Sequence, residues 1–167
     1  MTPLEYFRIE PATERDVPLV LRLIRGLAEY ERMTDMVVAT ESMLRDSLFG
    51  PKPAAEVVIA YVGGEPTGFA LWFHNYSTFL GRRGLYLEDL FVLPAWRGRG
   101  IGRRLLAHLA GLAVERGCGR MEWTVLGWND GAIRFYQGLG AKLMDDWKLC
   151  RVTGDALTTL CAEGRQG

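Results

Sequence analysis

Gly98, Gly100 and Gly102 alternate with other residues among four arginines, Arg97, Arg99, Arg103 and Arg104. Glycines so spaced let backbone N–H groups converge on an anion without side-chain obstruction. The run from Ile101 to Glu115 puts Ile101, Leu105, Leu109 and Leu112 on one face of a helix, whose positive end then adds to the loop. The chemistry indicated is the holding of phosphate groups. A Walker loop is excluded, because no Gly-Lys-Ser/Thr follows. The dinucleotide fingerprint is missed too, since Arg103 stands where its third glycine belongs. Just upstream, Leu85 to Val92 reads as a strand with two adjacent carboxylates, Glu88 and Asp89. Alternation along a strand sends neighbours to opposite faces, so both cannot face one site. The competing readings of the loop are a solvated basic turn with capping glycines and a nucleic-acid patch. The patch would want interleaved aromatic residues and a basic overall balance.

The elements that must position these residues follow from pattern. Tyr6 to Glu10 reads as an opening strand, and Thr13 as the cap of a helix carrying Val17, Val20, Leu21, Ile24, Leu27 and Ala28. A shorter helix follows Thr40 and stops at Gly50. Val57 to Val62 and Gly68 to Phe73 are β-prone runs joined by a turn at Gly63-Gly64-Glu65-Pro66. After the Ile101 helix, stopped by Gly117, come a strand from Arg120 to Leu126, a helix from Ala132 to Leu139 and a last strand from Trp147 to Val152. The order predicts an α/β fold with a mixed central β-sheet flanked by helices on both faces.

Length and composition set the outer bounds. The chain has 167 residues, 49% hydrophobic and 24% charged, which suits one domain spanning 1–167 with a core of its own. Twenty basic residues balance twenty acidic ones, so no global field favours nucleic acid or an anionic membrane. The start, Met1-Thr2-Pro3-Leu4-Glu5, leads into no signal-like apolar run, and no stretch approaches a membrane span. Three cysteines, Cys118, Cys150 and Cys161, form no C-x-x-C pair, and there are only two histidines. Neither a metal site nor a disulfide framework is indicated, and the thiols read as reduced, buried and inert, in a cytoplasmic protein.

Arg97 to Gly102 fits R-x-x-G-x-G, and the chain thereby resembles the GNAT superfamily of N-acetyltransferases. The resemblance widens at Ile9-Glu10-Pro11-Ala12-Thr13, Leu27-Ala28-Glu29-Tyr30-Glu31, Tyr86 to Val92, Trp128-Asn129 and Phe135 to Ala141. These stretches are similar to the spermidine/spermine (diamine) acetyltransferases, in that family's order over most of residues 8–152. Ser77-Thr78, Gly138-Leu139 and Glu29 depart from polyamine-specific members, and Ser77-Thr78 resembles the thialysine-acetylating branch. The resemblance implies the GNAT fold, acetyl-CoA as acetyl donor, no metal, a small cationic amine as acceptor and a homodimer. It gives Leu90, Phe91 and Val92 to the pantetheine arm by their backbone. Arg97, Gly98, Arg99, Gly100, Ile101, Gly102 and Arg103 would hold the pyrophosphate, and Asn129 would touch the cofactor further along. Tyr30, Glu31, Glu88, Glu122, Trp123 and Thr124 match positions that line the amine site.

An alkyl amine with a pKa of about 10 is protonated at neutral pH and cannot attack a thioester. By resemblance Glu88 is the general base, directly or through water, and Tyr136 the acid that protonates the leaving thiolate. Backbone N–H groups near Leu90 or Phe91 would face the oxyanion. Asp89 is left a structural or supporting part. A strand-edge carboxylate and an amphipathic core tyrosine are the plainer readings of Glu88 and Tyr136. With no cysteine in a nucleophile context, the expected route is direct attack in a ternary complex. Peptide or protein lysine as acceptor, and a non-catalytic acyl-CoA-binding regulatory module, stay open beside the small amine.

Overall fold

The computed structural model describes residues 4 and 6–165. Of the opening segment Met1–Glu5, only Leu4 lies within the described residues. The chain forms two compact units, residues 1–124 and 125–167.

The first unit is built on a five-stranded sheet in the order β1-β2-β3-β4-β5. Its strands are β1 (Arg8–Pro11), β2 (Glu56–Val62), β3 (Glu65–Ser77), β4 (Arg82–Val92) and β5 (Met121–Trp123). The first four pair antiparallel, and β5 joins β4 in parallel, so the sheet is mixed as expected. A parallel neighbour demands a crossover, and the helix α3 (Ile101–Glu115) supplies it. Two further helices, α1 (Val17–Tyr30) and α2 (Glu41–Phe49), precede β2.

Val57 to Ala60 are all buried, which requires cover on both faces of the sheet. On one face Val57, Ile59, Phe69, Leu71 and Phe91 pack with Val17, Val20 and Leu21 of α1 and Leu44 and Leu48 of α2. Alternation turns Val58, Ala60, Ala70 and Trp72 the other way, where α3 buries Ile101, Leu105 and Leu109. Thr13 opens a short 3-10 turn rather than α1 itself; its N–H donates to Asp16 Oδ2 (2.7 Å), and Pro18 stands in the first turn of α1. Thr40 caps α2, its Oγ1 accepting from the Met43 N–H at 3.2 Å.

The second unit holds α4 (Asp130–Gln137) and α5 (Gly154–Glu163). Here two expectations fail. Cys150 and Cys161, expected to be buried, are exposed. Trp147–Val152 forms no strand, and the unforeseen α5 begins directly after it. The run has β-prone residues, but a strand exists only where a ladder takes its N–H and C=O groups, and composition does not supply the ladder.

Candidate active site

The glycine loop lies where sequence places it, between a 3-10 turn at Pro94–Trp96 and the start of α3. Gly98 (φ 74) and Gly100 (φ 80) occupy the left-handed region, and a Cβ at either would meet nothing within 4 Å. Glycine is therefore required by the backbone turn, and the space beside it is open. No acidic residue stands in the first turn of α3, although Arg103 and Arg104 do. Cations at a helix's positive end are unfavourable on their own and become favourable when an anion lies between. These residues fit a pyrophosphate, as acetyl-CoA would bring.

The arginines are not equivalent. Arg97 donates from Nε to the Val92 carbonyl (3.0 Å), and its guanidinium lies 4.4 Å from the Tyr30 ring centre and 5.5 Å from that of Phe91. Arg99 lies over Trp96 at 4.7 Å and Arg104 over Phe7 at 4.8 Å. Arg103 is exposed and has no side-chain hydrogen bond or ion pair among the described residues. Ile101 and Phe91 are buried in the core, so only their backbones can serve a ligand. Leu90 and Val92 are half-buried. Pairing of β5 with β4 covers only Leu85–Leu87, short of the Leu90–Val92 edge.

The carboxylates differ from expectation. Leu71 pairs with Asp89 and Trp72 with Leu87, so Glu88 is an extra residue, a β-bulge that breaks alternation. Leu71 belongs to the core beneath α1, and Asp89 shares its face. Burial, then the charges of Glu88 and Glu31, push the Asp89 carboxyl up to about 6. Glu31, half-buried at the end of α1, is also raised, by burial. Strict alternation is therefore broken at Glu88, and the charges of Glu88 and Glu31 both act on Asp89. The sequence carries no sign of this bulge, because a bulge leaves no mark in composition.

The remaining residues fall in separate places. Glu122 is engaged on β5, bridging Arg120 Nε at 2.9 Å and accepting from Asn75 Nδ2 at 2.9 Å. Trp123 pairs with Leu87, the residue before the bulge, and Thr124 follows directly. Asn129 and Tyr136 belong to the second unit. Asn129 caps α4, its Oδ1 accepting from the Ala132 N–H at 3.2 Å. Tyr136 is half-buried on that helix, 5.4 Å from the Phe135 ring.

The profile of the acetyltransferase (GNAT) family matches residues 23–141. The chain is 34% identical to the L-ornithine N5-acetyltransferase NATA1 of Arabidopsis thaliana, over 93% of this chain and 88% of that one. It is 36% identical to the thialysine N-epsilon-acetyltransferase of Bos taurus, over 96% of this chain and all of the other. Among solved structures, an integron cassette protein from the mobile metagenome of V. cholerae superimposes with a TM-score of 0.79 at 27% identity, over 93% and 97% of the two chains.

Proposed function

Because this chain belongs to the GNAT family of acetyltransferases, we propose that its acceptor is the primary amine of a small cationic molecule, of the thialysine or ornithine kind. It is an N-acetyltransferase, and acetyl-CoA is its donor. The observation that carries the acceptor reading is the pair Glu88 and Asp89 on the strand that leads into the phosphate-holding loop, with Glu31 at the end of α1 acting on Asp89. Carboxylates gathered around Asp89 attract a cation and can take a proton from it.

When bound, acetyl-CoA supplies an activated thioester. The loop N–H groups and Arg103 hold its pyrophosphate, and the backbone of Leu90–Val92 orients the arm. Glu88, exposed at the bulge, takes the ammonium proton directly or through water, which frees the nitrogen lone pair for direct attack. As the C–N bond forms and the C–S bond breaks, Tyr136 would give its phenolic proton to the leaving sulfur and regain one from the acylated nitrogen. The reading also includes one acetyltransferase domain over 1–167, a homodimer and a cytoplasmic location. These rest on the resemblance and on the three free thiols.

Release of CoA thiol, followed over thialysine, ornithine, polyamines and lysine peptides, tests the acceptor. Turnover greatest with a small diamino acid supports the reading. Turnover confined to peptides transfers the protein to the lysine-peptide class, and none over the panel makes it a non-catalytic acyl-CoA binder.

A further inference from the structure

The motif gives Arg97 to the pyrophosphate, but the geometry gives its side chain other work. Its Nε–H is used on the Val92 carbonyl at 3.0 Å, and its guanidinium plane is used on the rings of Tyr30 and Phe91. The Phe91 ring in turn fills the notch at Gly26 of α1, where an added Cβ would stand 2.9 Å from Cε1. Arg97, Phe91, Gly26 and Tyr30 thus tie the first residue of the donor loop to the last turn of α1. The next residue after Tyr30 is Glu31, whose charge acts on Asp89. The donor-holding loop and the acidic acceptor group therefore share one side chain as a strut.

We propose that Arg97 is a positioning residue for the amine, fixing the Tyr30–Glu31 end of α1 against β4, and not a ligand of the cofactor phosphates. This rests on the amine-acetyltransferase reading above. The phosphate role falls to Arg103, which is exposed and uncommitted among the described residues. Loss of one cation–π contact of this kind corresponds to about three- to tenfold in affinity.

The test compares Arg97→Gln, Tyr30→Leu, their double variant and Arg103→Ala. Calorimetry gives the acetyl-CoA affinity, and steady-state rates give the amine KM with the best amine of the panel. Arg97→Gln and Tyr30→Leu should each raise the amine KM about three- to tenfold while leaving acetyl-CoA affinity within about threefold. The double variant should be no worse than the weaker-binding single one, since both break the same contact. Arg103→Ala should do the reverse, weakening acetyl-CoA with little change in amine KM. If Arg97→Gln does not fold, Tyr30→Leu carries the same comparison. Arg97→Gln that weakens acetyl-CoA tenfold with unchanged amine KM overturns the inference, as does full additivity in the double variant. A wild-type protein that acetylates no amine overturns the acceptor reading itself, and the inference with it; an active wild type with the wrong variant pattern overturns the inference alone.

Discussion

Asp89 stands opposite Leu71 across β3 and β4, so its carboxylate lies on the face that α1 covers. Burial and two neighbouring carboxylates raise it from 3.8 to about 6. Between those values the folded chain binds more protons than the unfolded chain, so stability falls as pH rises through that window. At neutral pH the ionised group lowers stability by on the order of 2 to 3 kcal/mol. Asp89→Asn removes that cost. Its melting temperature at pH 7.5 should exceed that of the wild type by several degrees, with the gap closing towards pH 4. Equal melting temperatures at pH 7.5 would show that Asp89 is not electrostatically burdened.

Glu88 lies at the bulge, exposed, and its charge is one of those that raise Asp89. As the base, it should cost about a hundredfold or more in kcat when replaced by Gln, with acetyl-CoA affinity preserved. The same substitution removes a like charge beside Asp89, so the pH window over which Asp89 lowers stability should move downward. Stopped-flow rates and a melting series against pH read the two effects separately. A Glu88→Gln variant with wild-type kcat would remove Glu88 from the base role, whatever happened to the melting series.

Tyr136 lies on α4, whose Asn129 cap fixes where the helix begins. If its hydroxyl protonates the leaving sulfur, Tyr136→Phe should lower kcat by about ten- to a hundredfold and leave acetyl-CoA affinity within about threefold. Equal losses in turnover and in acetyl-CoA affinity would instead make Tyr136 part of the cofactor's binding surface.

Much of this architecture was legible residue by residue. The helix α3 was read at both ends, because glycines at 100 and 117 punctuate a strongly periodic run. The sheet was read as mixed, and Glu88, Glu31 and Tyr30 were singled out by resemblance. What escaped depends on partners distant in sequence. The bulge at Glu88 is a property of how β3 and β4 register, and the stretch Leu87 to Phe91 carries no sign of it. The commitment of Arg97 to Tyr30 needs α1 and the loop to meet, which no local pattern reports. The strand expected at Trp147–Val152 rested on propensity alone, the weakest of the signals used.

Arg32 ends α1 in an unusual way. Its N–H donates to the Glu29 carbonyl (3.1 Å) and the Met33 N–H to that of Ala28 (2.8 Å), the paired bonds of a Schellman ending. The first residue past the helix end must be left-handed in this motif, and Arg32 stands there with φ 61 where glycine is usual. Arg32→Gly relieves that strain, and after allowing for the freer unfolded glycine it should stabilise the protein by about 0.5–1 kcal/mol. An arginine at this position has fewer accessible backbone conformations than glycine, which restricts the chain at Glu31 immediately before it. Stability gained at this position should therefore come with a higher amine KM, because the acidic group becomes less preorganised. Thermal melting and steady-state kinetics on the one variant check both halves. A lower melting temperature would show that Arg32's own contacts outweigh the strain, and an unchanged KM would show that Glu31 is held by other means.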